Sequence, residues 1–143
     1  MRSLARETVF KFIFSRLFNP SDEGLFDVLA KDLDVNDKKF AEDLLNSIIT
    51  NEDKYMSIVE NLAIGYKINR VINCDKCALL IGIAELNAFP DTPIPVVIDE
   101  AVKLSAKFST ENSTNFVNGI LAEYARGNED GKNNWWKINS PKS

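Results

Sequence analysis

The strongest constraint on this chain lies at its start. Residues 4–18 (LARETVFKFIFSRLF) read as a helix. Placed at about 100° per residue, Ala5, Val9, Phe10, Phe12, Ile13, Phe14 and Leu17 cover more than half of its circumference. Only a narrow stripe through Glu7, Thr8, Lys11 and Ser15 is polar. A helix with so little polar surface has to be enveloped by neighbours. The pattern predicts a central core helix with only its N-terminal end free for other work.

The rest of the chain supplies neighbours of the same kind. Asn19-Pro20 stops the first helix, and Ser21 or Asp22 is placed to cap a second over 22–33. Asp34 or Asn36 then caps a third over 37–50, and Asn51 a fourth over 52–64, which ends at Gly65. After a short connection, residues 74–88 (CDKCALLIGIAELNA) are apolar enough to be buried. Pro95 suits the first turn of a helix running to Phe108. A turn at 109–112 leads to a last helix over 113–126. No alternating strand pattern of convincing length and no repeat is present. From Gly127 onward (GNEDGKNNWWKINSPKS) the composition is that of a loose polar tail, with Trp135-Trp136 expected to dock on the body or meet a partner.

A chain of 143 residues is one domain by size, and 45% apolar with 27% charged residues is an ordinary globular composition. No apolar run of about 18 residues is available to span a membrane. The basic-then-apolar N-terminus is interrupted by Arg6, Glu7, Lys11 and Arg16 and lacks a small-residue cleavage site. The expected location is the cytoplasm. Histidine is absent, which removes Ser-His, Cys-His and His-metal arrangements, and there is no Gly-rich phosphate loop. The expectation is a binding protein with no catalytic residue, cofactor or metal. Cys74 and Cys77 form an isolated C-x-x-C without a second ligand pair or a preceding strand, so they read as small apolar residues at a helix start.

The charge is unevenly placed. Residues 1–18 carry Arg2, Arg6, Lys11 and Arg16 against Glu7, a net of +3, while the other 125 residues carry −7. By charge alone, the positive end is either a small phosphate-contacting site or a solvated helix terminus.

Longer motifs are more specific. Residues 95–108 read PVVIDEAVKLSAKF, residues 116–121 read FVNGIL, residues 74–86 read CDKCALLIGIAEL, and ARE stands at 5–7 in the aromatic first helix. In this order and spacing the chain, over residues 2–126, resembles the bacterial transcription antitermination factor NusB family. The resemblance implies an all-α fold of two roughly perpendicular three-helix bundles, about seven helices, sharing the first helix; residues 1–126 form the domain and 127–143 the tail. It implies a protein that binds boxA RNA together with NusE, a small-subunit ribosomal protein, and joins an RNA polymerase antitermination complex supporting ribosomal RNA transcription. Members occur as monomers and as homodimers, so the oligomeric state stays open.

Residue by residue, Arg2 and Arg6 match the family's N-terminal basic motif and are expected on RNA, with Lys11 extending the contact. Arginine suits that task because its planar fork binds phosphate and stacks on unpaired bases. Glu85 matches an acidic residue expected at the NusE surface. Asn118 and Gly119 are read as structural: Gly119 to let a helix approach closely, Asn118 to satisfy a buried backbone group or pair with Glu100. Phe116, Leu121, Val97 and Leu104 are expected in the core. The chain departs from the family at Ser3 and Leu4, where basic residues often stand, and at Leu80 and Ala84, which replace an arginine and a tyrosine. A protein-interaction scaffold with weak or lost RNA binding therefore remains an alternative. The helical domain that precedes a ribosomal RNA methyltransferase is expected to fail as a reading, because that enzyme needs a second, larger cofactor-binding domain.

Overall fold

The computed structural model describes residues 2–19, 24–65, 71–109 and 111–131, and among them finds seven α-helices and no strand. They are α1 (Arg2–Phe18), α2 (Leu25–Leu29), α3 (Val35–Thr50), α4 (Glu52–Gly65), α5 (Asn73–Ala88), α6 (Ile94–Phe108) and α7 (Glu111–Gly131). The all-helical expectation holds, and so does the central place of the first helix. Ala5, Val9, Phe10 and Ile13 are buried, and α1 packs against α2, α3, α5 and α6. Thr8, from the expected polar stripe, is buried too; its hydroxyl donates to the Leu4 carbonyl at 3.0 Å, as a helical threonine does when no other partner is near.

Helix α5 is the second hub. Every residue from Cys77 to Glu85 is buried, and the helix touches α1, α3, α4, α6 and α7. Two groups meet on this pair of hubs. Helices α2 and α3 pack on α1; α6 and α7 pack on each other and on α5, and α4 lies against α3, α5 and α7. Leu80 and Ala84, the apolar replacements noted above, are inside this core.

Several ends differ from the expected ones. The second helix is only five residues long and starts after Gly24, whose φ of 81° suits a residue without a side chain. Asp34 caps α3, its carboxylate accepting from the Asp37 amide at 2.8 Å. Asn51 does not cap α4. Its side-chain amide instead donates to the Ser47 carbonyl at 2.9 Å, closing the end of α3. The last helix continues through Gly127, which is buried, to Gly131; the expected tail thus begins later, and Trp135 and Trp136 lie outside the described residues.

A close helix approach occurs at Gly82 of α5, where an added Cβ would lie 2.6 Å and 2.9 Å from the two methyls of Leu121, itself fully buried in α7. Alanine favours helix over glycine by about 1 kcal/mol, but overpacking a core costs about 1–3 kcal/mol, and the Leu121 methyls would have to shift inside a fully buried site. Gly82→Ala is therefore expected to lower the unfolding free energy, and Gly82→Ala/Leu121→Val to recover part of the loss, both read by urea denaturation. A single variant more stable than the parent would contradict this packing.

Candidate nucleic-acid interface at the tip of helix α1

Placing the core of α1 at Val9, Phe10 and Ile13 also places Arg6, three, four and seven residues earlier, on the same buried face. Its side chain is 3% exposed. A buried guanidinium needs a carboxylate, and Glu85, the one acid in the apolar run of α5 from Cys77 to Leu86, supplies it. Arg6 Nε donates to Glu85 Oε1 at 2.7 Å and Nη2 to Oε2 at 2.6 Å, a two-pronged pair with Glu85 only 1% exposed. Glu100 of α6 completes the cluster: its Oε1 lies 3.7 Å from Arg6 Nη1 and accepts from the Ser3 hydroxyl at 2.8 Å. Helices α1, α5 and α6 are tied together by charge at one point.

This cluster corrects three expectations. Arg6 is not a free RNA-contacting cation, because it is buried and ion-paired with Glu85 and Glu100. Glu85 is not on a partner surface but inside the protein. Asn118 is exposed on α7, so it satisfies no buried group there, and Glu100 takes Ser3 and Arg6 as its partners instead. The signal for the ion pair was in the sequence. Arg6 stands on the buried face of α1 and Glu85 in the apolar run of α5, so each charge is set where it needs an opposite partner, 79 positions away.

The remaining cations of α1 do not form one patch. Nine residues separate Arg2 and Lys11, about 13 Å along the axis and about half a turn around it. Lys11 is exposed with its ammonium 3.4 Å from Glu7, which Lys107 of α6 also holds at 2.8 Å. Partial burial works against the Glu7 charge, but hydrogen bonding and attraction from Lys107, then Lys11, outweigh it and keep the carboxyl below its ordinary pKa. Lys11 also borders a cleft of about 280 Å³ walled by Phe10, Phe14, Phe108 and Cys74. Phe10 stacks on Phe108 with centroids 4.6 Å apart. An apolar or flat side chain would fit such a cleft. Arg16 bonds Glu52 at 3.0 Å. Arg2 alone among these four cations makes no ion pair with the described residues. It is exposed, and its guanidinium lies over the Phe40 ring, 4.5 Å from the centroid.

The cysteines carry no redox or metal signature in their surroundings. Burial pushes the Cys77 thiol up to about 12 and raises that of Cys74, so neither is poised as a thiolate. No cluster of three potential metal ligands occurs among the described residues, and no helix among them is long and apolar enough to cross a membrane. Between the cysteines, Asp75 is 5% exposed, and its Oδ1 has no hydrogen-bond partner among the described residues. Burial raises its pKa, against the lowering effect of hydrogen bonds from Ser113 and Ser109.

The site lies in an all-helical domain whose buried charges fix helix positions, with an arginine at the tip of its central helix that the described residues leave without an ion pair. Comparison with known proteins gives its family. Residues 3–126 match the model of the NusB family. A transcription antitermination protein NusB from Natranaerobius thermophilus is 35% identical over 130 residues, covering 87% of this chain and 94% of that protein. Another from Ruminiclostridium cellulolyticum is 32% identical, covering 88% and 89%. Among solved structures, T. maritima NusB superposes with a TM-score of 0.81 at 29% identity, covering 88% of this chain and 91% of that one. A complex of the antitermination factors NusB and NusE with dsRNA shares the fold, with a TM-score of 0.75 at 23% identity and coverage of 87% and 96%. The chain belongs to the NusB family.

Two outcomes follow. Removing one member of a buried ion pair costs about 3–5 kcal/mol because the other charge is stranded. Glu85→Gln is expected to cost that much in urea denaturation, and Arg6→Met/Glu85→Leu much less; a loss below about 1 kcal/mol for the single variant would mean the pair is dispensable. For Asp75, a raised folded pKa means the native state binds the proton more tightly. Stability associated with it falls as pH rises from the ordinary 3.8 through the raised value. The parent should therefore lose thermal stability relative to Asp75→Asn as pH goes from about 4 to about 7. Parallel curves would rule out the shift.

Proposed function

We propose that this chain is a cytoplasmic transcription antitermination factor without catalytic activity, which binds boxA RNA together with NusE and joins an RNA polymerase complex. The observation that carries this reading is family membership across residues 3–126, nearly the whole of the described domain. The names of the relatives and of the solved NusB–NusE–RNA complex give the direction. Arg2 is the residue proposed to meet RNA, since it is the cation of α1 left unpaired by the described residues.

One specific observation favours a second reading. Three of the four cations in α1 are held by carboxylates, Arg6 by Glu85, Lys11 by Glu7 and Arg16 by Glu52. Affinity for RNA scales with the phosphates neutralised, so the free protein is expected to bind RNA weakly and to serve partly as a scaffold for its protein partner. Fluorescence anisotropy with labelled boxA RNA, with and without NusE and across a salt series, tests both readings. The expected result is weak binding alone with a shallow salt dependence, and substantial tightening when NusE is added. Equal affinity in both cases would remove the dependence on the partner. No binding in either case leaves only the scaffold.

A further inference from the structure

We propose that the aromatic cleft between α1, the start of α5 and the end of α6 binds a small aromatic carboxylate, independently of the RNA reading above. Phe10, Phe14, Phe108 and Cys74 wall a space of about 280 Å³, and Lys11 is the one charged side chain that lines it. That volume falls just under the range of about 300–1,000 Å³ of sites for drug-sized molecules, which suits a guest of one or two fused rings.

The rings set the shape. The planes of Phe14 and Phe108 lie within 5° and 16° of that of Phe10. Three faces so nearly parallel favour a flat guest packed in the same orientation, because aromatic contacts contribute beyond the area they bury. The rim sets the charge. Lys11 and Lys107 share one carboxylate, Glu7, at 3.4 Å and 2.8 Å, which leaves one positive charge over. Glu7 is only 19% exposed, against 49% and 58% for the two lysines, so it is the positive groups that meet solvent. Lys107 also stands 5.6 Å from the Phe108 centroid, which ties its charge to the cleft. At the other end, Asp75 follows Cys74 in α5 and is buried, hydrogen-bonded by Ser113 and Ser109. A second carboxylate is repelled there, so the guest's acid is assigned to the lysine end and its rings to the Cys74 end. A neutral apolar side chain from another protein would use the rings and gain nothing from the lysines. The chain's own continuation leads elsewhere: α7 begins three residues after Phe108 and extends over 21 residues, about 30 Å from its start.

The isotope-labelled full chain is titrated with 2-naphthoate at low salt and followed by two-dimensional NMR. Saturable shifts are expected around Phe10, Phe14, Cys74 and Phe108, with a Kd of about 0.1–1 mM for so small and open a cleft. Lys11→Gln, an exposed position that the fold does not need, weakens naphthoate about twofold to fivefold, the scale of one exposed ion pair. It leaves binding of the neutral 2-naphthalenemethanol unchanged. Added salt acts on naphthoate alone, in the same direction as Lys11→Gln. Phe14→Leu weakens both compounds about threefold. Equal affinity for the acid and the alcohol, or no effect of Lys11→Gln, overturns carboxylate recognition. Octanoate binding as tightly as naphthoate overturns the preference for a ring. Shifts outside the cleft, or none at ten times the expected Kd, overturn the site. So does equal competition by uridine monophosphate, which would make it a nucleotide site. Cleft shifts that appear without ligand as protein concentration rises identify a second copy as the occupant, and those caused by replacing Trp135 and Trp136 with alanine identify the tail; either overturns the proposal.

Discussion

The arrangement of this protein depends on a buried ion pair, Arg6 with Glu85. Taking both charges out of water costs several kcal/mol each, of order what their attraction returns, so the pair is not a large net source of stability over an apolar contact. It acts on alternatives instead. If α1 slides or rotates by one residue against α5, a guanidinium and a carboxylate are left buried without each other, and that costs far more than a mismatched leucine. Glu100 and Ser3 extend the constraint to α6. An apolar helix such as α5, smooth on all sides, has little else to define its register. Gly82 against Leu121 defines it at the contact with α7, by shape where the ion pair does so by charge.

The same pair explains why the fold was more legible than the site. Helical period is local, and α1, α3, α4, α5 and α6 are found within about two residues of where apolar spacing put them, the usual scatter of helix ends. Errors fell where the decisive contact was not local or where end chemistry had two solutions. Asn51 was placed to cap the following helix and closes the preceding one. Gly127, a stop signal in sequence, lies buried within α7. Counting charges along residues 1–18 gave a positive patch, but the acids that neutralise it lie far away in sequence, at Glu52, Glu85 and Glu100, apart from Glu7. A resemblance assigns residue types to roles without saying which of two nearby arginines is internal. The burial of positions 9, 10 and 13 decides that, since it carries Arg6 inward and leaves Arg2 out.

What remains at the surface sets the physical style of recognition. The chain carries a net charge of −4, and three of the four cations in α1 are matched by acids within hydrogen-bonding or ion-pair distance. Fields from such pairs cancel within a few ångströms, and at physiological salt any residual field decays over about 8 Å. On the proposed reading, RNA gains little from long-range attraction to these paired charges. On that reading recognition rests on contact and on what a second protein adds beside it. Proteins that coat RNA through broad basic surfaces gain affinity from almost any strand. On the proposed reading that contribution is small, and weak intrinsic binding is the condition under which a partner controls when the strand is held.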